Sequence, residues 1–237
     1  MKKTRSFYIF SIHILILILI FKTDTYLIIA NQFDFLKTAP QENIVYRTTL
    51  THQLRIDKTS NENNYVFFGD SLIQGLNVIA IKEKSINFGI GTDTTSALLL
   101  RLPKYKASQT AKHIILAIGI NDISHIPTLD IANSIEKISN KIPSSTTIFL
   151  LGVLPIAQKF ESELQKKQSD IANLNHTLQQ QVSSTPNITY IPPPASLFDT
   201  DGYLKPNAHI GDGLHLNTLG YLLWINHLEK ELSNNEN

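Results

Sequence analysis

The 237 residues contain no cysteine, which excludes disulfides, a thiol nucleophile, zinc-thiolate sites and a lipidated cysteine anchor. Charge of either sign is not in excess: 21 Lys+Arg stand against 20 Asp+Glu, a formal net charge of +1, so no global field recruits nucleic acid or a strongly acidic partner. No repeat or low-complexity tract appears beyond the Asn-rich NENN at 61–64 and the polar tail SNNEN. What is present is a chain with 42% hydrophobic residues, enough for one sizeable core and too short for two domains to be the default. Any function must sit in a local site.

The N-terminus speaks to location. Lys2, Lys3 and Arg5 precede the run FYIFSIHILILILIF from Phe7 to Phe21, the positive-then-apolar order of a secretory signal or a membrane anchor. As a helix that run would span about 22 Å, short of the ~30 Å hydrocarbon core, which favours a signal segment. No A-x-A cleavage site follows; Ile28-Ile29-Ala30 comes nearest, so an uncleaved anchor stays open. The expected organisation is a signal peptide or anchor over 1–30, a helical extension over 31–59 and a catalytic domain over 60–237, with the protein exported or membrane-attached.

Past residue 40, apolar runs alternate with helical patterns. The runs YVFFG (65–69), SINFG (85–89), HIILAIG (113–119), TTIFLLGVLP (146–155) and NITYIPP (187–193) are rich in β-branched and aromatic residues and close on Gly or Pro. They are continuous rather than alternating, which suits strands buried on both faces. Helical patterns cover 43–58, 94–105, 129–141, 162–182 and 216–232. Strands alternating with helices predict an α/β fold with a five-stranded parallel sheet covered on both sides. In such sheets the ligand crevice lies outside the carboxyl ends of the strands.

Candidate chemistry gathers at those ends. FFGDSL places Ser71 two residues after the first strand, although Gly-Asp-Ser is also ordinary turn chemistry. A serine hydroxyl attacks acyl carbons only when a base takes its proton and donors await the oxyanion. Among eight histidines, His215 stands out: in GDGLHLN (211–217) Asp212 lies three residues earlier, so on one turn the carboxylate can hold the imidazole. His209 is the rival base, and His209, Asp212 and His215 together have an alternative reading as metal ligands. AIGIND places Asn121 after the third strand, either as an amide donor or as a simple turn residue. NFGIGTDTT (87–95) offers a tight loop at Gly89 and Gly91, with Thr94 or Thr95 capping the next helix; position 94 is Thr, so G-x-G-x-x-G for nucleotides is incomplete.

Taken in order, GDSL with Ser71, NFGIGTDTT, GIND with Asn121 and DGLH with Asp212 and His215 resemble the four blocks of the SGNH hydrolases, or GDSL lipases/esterases. The resemblance covers about residues 60–232. NFGIGTDTTSALLLRL and the later LLGVLP are most similar to the branch with the catalytic subunits of platelet-activating-factor acetylhydrolase. It implies a flavodoxin-like three-layer α/β/α sandwich without metal or cofactor. It further implies a serine esterase with Ser71 as nucleophile, His215 as base and Asp212 orienting the imidazole. The oxyanion hole would comprise the N–H groups of Ser71 and Thr92 and the Asn121 side chain. The substrate would be a small-molecule, glycan or lipid acyl ester, short-chain or acetyl.

One departure stands out. In that branch the residue before the block-two aspartate is usually glycine; here it is Thr92, and a β-branched residue resists φ > 0. Asp70 is expected to cap or brace the turn presenting Ser71. GDSLI departs from the G-x-S-x-G elbow of α/β-hydrolases at Ile73. Competing readings are an acyltransferase to a glycan or alcohol acceptor and an inactive binding protein of the same fold.

Overall fold

The computed structural model describes residues 40–60, 64–183 and 185–235, so the basic and apolar leader lies outside the described residues. From Asn43 onward the chain forms one compact unit. Helix α1 (Ile44–Thr59) starts where Asn43 caps it, its Oδ1 accepting from the Val45 N–H at 2.8 Å. Then follow β1 (Tyr65–Gly69), the short α2 (Ser71–Gln74), β2 (Ser85–Gly89), α3 (Thr95–Arg101), α4 (Ala107–Thr110) and β3 (His113–Ala117). After these come α5 (Thr128–Ser139), β4 (Thr147–Leu151), α6 (Glu161–Leu164), α7 (Gln168–Val182), β5 (Ile188–Ile191) and α8 (Thr218–Asn234).

All four strand pairings are parallel, in the order β2-β1-β3-β4-β5. The all-parallel pairing is what the alternating runs predict, and the order is the flavodoxin-like one that the family resemblance implies. The apolar runs are continuous because both faces are covered. Val66 and Phe68 turn to one face with Ile114, Leu116, Ile148 and Leu150, where Leu98, Ile135, Leu174 and Leu178 pack on them. Phe67, Ile115 and Phe149 turn to the other, beneath Leu72, Trp224, Leu228 and Leu232. The covering helices carry their apolar residues at helical spacing, Ile131, Ile135 and Ile138 on α5 and Trp224, Leu228 and Leu232 on α8. Each fully buried side chain of this size contributes about 1.5–3 kcal/mol.

Most elements are shorter than the sequence pattern, the run 146–155 ending as a strand at Leu151 and 187–193 at Ile191, and two departures bear on the crevice and the helices. The run 113–119 leaves the sheet at Ala117, since Gly119 takes φ 123° and turns the chain into the Asn121 loop. The pattern over 162–182 is two helices: Gln165 adopts φ 51°, which no regular right-handed helix accommodates, and Lys166 is drawn inward beyond it.

In this strand order the chain leaves β1 for β2 on one side and leaves β3 for β4 on the other. The loops after β1 and β3 therefore diverge and leave a crevice at the carboxyl ends. Ser71 follows β1, Thr92 follows β2 and Asn121 follows β3.

Candidate active site

Ser71 is the first residue of α2. Asp70 caps that helix, its Oδ1 accepting from the Leu72 N–H at 2.9 Å. Burial raises the Asp70 carboxyl to about 7. The capped turn fixes the serine backbone and leaves its hydroxyl to the crevice.

The Ser71 Oγ lies 2.9 Å from Nε2 of His215, and the opposite ring nitrogen, Nδ1, lies 2.7 Å from Oδ2 of Asp212. The second Asp212 oxygen accepts from the N–H groups of Leu214 at 3.0 Å and His215 at 2.9 Å. Burial works to raise the Asp212 carboxyl, but these N–H groups and the imidazole outweigh it and hold it below the usual carboxylate range. An ionised Asp212 fixes the proton of His215 on Nδ1, which leaves the Nε2 lone pair facing the serine hydroxyl. Ser71, Asp212 and His215, separated by up to 144 residues in sequence, are thus brought together.

His209 has a different task. Its Nδ1 accepts from the N–H groups of Gly211 at 3.0 Å and Gly213 at 3.1 Å, so that lone pair is committed to shaping the loop around Asp212. Gly213 sits at φ 75°, and a β-carbon there would run into the Phe160 ring. Among the described residues no three His, Asp or Glu side chains are arranged to hold a metal ion.

Thr92 lies on a tight turn over Ser71. A β-carbon built on neighbouring Gly91 would stand 4.0 Å from that of Ser71. The Asp93 N–H donates to the Ile90 carbonyl at 3.2 Å, closing a four-residue turn with φ 65° at Thr92 and no positive φ at Gly91. That is a type II turn, whose third position favours glycine. The conflict foreseen for a β-branched residue is therefore present. Neither the Thr92 N–H nor the Ser71 N–H donates to another described residue. Asn121, half-buried across the crevice, donates one Nδ2 hydrogen to the Asp93 carbonyl at 2.9 Å and keeps a second.

Residues 67–223 match the model of the GDSL-like lipase/acylhydrolase family. The chain belongs to that family. It is 26% identical over 182 residues to the platelet-activating factor acetylhydrolase IB subunit alpha1 of Rattus norvegicus, covering 73% of this chain and 76% of the relative. A Streptococcus pneumonia structure named for platelet activating factor is 26% identical, with a TM-score of 0.73 over 78% of this chain and 92% of that one. The lipase/acylhydrolase from Enterococcus faecalis, at 23% identity, shares the fold with a TM-score of 0.61, covering 72% of this chain and 95% of the other. A GDSL acylhydrolase is an ester hydrolase, and the three-layer α/β/α architecture is the one these neighbours share.

Sequence reasoning missed what lies under the GDSL site. Asp93 and Arg101 form an ion pair at 2.8 Å with side chains 0% and 1% exposed. Arg101 also donates to the carbonyls of Gly69 at 3.2 Å and Phe88 at 2.9 Å, tying together the ends of β1 and β2. Tyr46 of α1 donates to the other Asp93 oxygen at 2.8 Å, and Gln53, one helical face along, donates to the Gly89 carbonyl at 2.8 Å. Asp122 accepts from the Thr95 N–H at 3.0 Å and its hydroxyl at 2.9 Å, joining the β3 loop to α3. The only sequence signal was a lone arginine in the apolar stretch ALLLRL, a residue type that is almost never buried unless paired.

Proposed function

We propose that this GDSL hydrolase cleaves short-chain, most readily acetyl, esters through an acyl-enzyme on Ser71. The observation that carries the reading is the relay from Ser71 Oγ through His215 to Asp212, at 2.9 and 2.7 Å. Ser71 Oγ attacks the ester carbonyl while Nε2 of His215 takes its proton. Asp212 steadies the imidazolium. The oxyanion is received by the N–H groups of Ser71 and Thr92 and the second Nδ2 hydrogen of Asn121. His215 then returns the proton to the leaving alkoxide, and a water activated by the same base releases the acid.

One observation supports a small acyl group: the relatives include an acetylhydrolase. The leader, with Lys2, Lys3 and Arg5 ahead of Phe7–Phe21, supports export or membrane attachment of the enzyme.

The test is turnover of p-nitrophenyl esters of increasing chain length by the full chain and by Ser71→Ala. Acetate is expected to turn over fastest, and the variant is expected to lose roughly 10⁴-fold or more with an unchanged Tm. Equal turnover by Ser71→Ala sinks the mechanism, and a preference for long chains sinks the substrate class. Adding an alcohol acceptor and weighing transfer against hydrolysis separates an acyltransferase from a hydrolase.

A further inference from the structure

The type II turn at Ile90–Asp93 poses a mechanical problem. Type I and type II turns differ by a rotation of roughly half a turn of the central peptide, here the one joining Gly91 to Thr92. That peptide carries the Thr92 N–H. In the type I form Thr92 would return to negative φ, which a β-branched residue prefers, and its N–H would point the opposite way. Left to itself, the turn is biased toward the form that withdraws the donor.

Restraints stand on both sides of this peptide. Ahead of it, the Gly91 N–H donates to Oε1 of Gln74, a residue of the same short helix as Ser71. Behind it, Asp93 is held at its carbonyl by Asn121, at one carboxylate oxygen by Arg101 and at the other by Tyr46. Tyr46 is 2% exposed and lies ahead of the residues that match the family model, on a helix whose Gln53 and Asp57 are also hydrogen-bonded into the domain.

We propose that Tyr46 is a positioning residue of the reaction: its hydroxyl, acting through the Asp93 carboxylate, holds the Thr92 turn in the form that presents the Thr92 N–H to the oxyanion. The inference rests on the oxyanion role given above to Thr92. It follows that the first turn of α1, through Tyr46 alone, serves the reaction, and that this chain needs the brace because it has threonine where a glycine would hold positive φ unaided.

The experiment is a double-mutant cycle between Y46F and Thr92→Gly, read as kcat and KM on p-nitrophenyl acetate at two temperatures well below the Tm. Y46F is expected to lower kcat about tenfold with KM changed by less than about twofold, because the lost interaction serves the transition state. In the Thr92→Gly background the same change is expected to cost less than about twofold, since glycine holds the turn without help. Asp57→Asn, on the same helix but bonded to the N–H groups of Lys106 and Ala107, is expected to lower the Tm without changing kcat.

An unchanged kcat in Y46F overturns the proposal. So does an equal loss in both backgrounds, which would mean that the effect does not run through Thr92. A Y46F protein that fails to fold overturns it as well, since a positioning role requires the scaffold to survive loss of one hydroxyl. Retained activity in Ser71→Ala is the separate outcome that removes the underlying mechanism.

Discussion

The loop that carries Asp212 and His215 and the turn that carries Thr92 face the same serine but are built in opposite ways. Asp212 and His215 are 39% and 38% exposed, and their side-chain hydrogen bonds, apart from the one to Ser71, run within three residues of sequence. The Thr92 turn stands on a buried ion pair that reaches α1, α3 and the ends of β1 and β2, with one bond spanning 47 residues. The Asp212–His215 pair is held locally and is solvent-screened. The support beneath the exposed Thr92 is non-local and dry, so it should be coupled to global stability while the pair should not.

The largest expected effect tests that contrast directly. Arg101→Met leaves the Asp93 carboxylate buried without its cation, which should cost about 3–5 kcal/mol in urea unfolding and reduce esterase activity along with it. Asp212→Asn on the exposed loop should change stability by less than about 1 kcal/mol while still lowering kcat. Similar stability losses in the two variants would erase the distinction.

Next in size is Asn121→Ala, which on the proposed mechanism removes one oxyanion donor and which also removes one of the bonds on Asp93. A fall of roughly 10²-fold in kcat, about 3 kcal/mol in the barrier, is expected, with KM nearly constant. If the loss appeared in KM alone, Asn121 would be a substrate contact and not a transition-state donor.

The same contrast governs what could be read from the chain. Strands buried on both faces show as unbroken runs such as YVFFG, and β1 and β2 fall on their expected residues. Ser71, Asp212 and His215 have weak local signatures, a polar residue after an apolar run and a D-x-x-H turn ahead of a helix, and Asn121 reads equally as a turn residue; the four blocks in order are what the family resemblance adds. The tie from Tyr46 to Asp93 has no such signature, because nothing in a tyrosine three residues into a helix tells which buried carboxylate it will meet. The break at Gln165 was hidden for a related reason: neither Gly nor Pro marks it, and it depends on Lys166 being drawn inward.

Asp70 crosses the divide, since it adjoins Ser71 on the relay side yet is only 2% exposed. Burial raises its carboxyl to about 7, whereas in the unfolded chain it releases its proton near 3.8. Between those values the folded protein holds a proton that the unfolded chain has lost, so this group's contribution to stability is complete below about pH 4 and declines as pH rises toward 7. Asp70→Asn keeps a carbonyl oxygen to accept the Leu72 N–H but cannot ionise. The stability of the variant relative to the parent should therefore rise across that window by on the order of 4 kcal/mol and level off above it. A difference in Tm that stays flat from pH 4 to pH 8 would show that Asp70 is already ionised in the folded state, placing it electrostatically with the solvated Asp212–His215 pair and not with the buried Asp93–Arg101 pair.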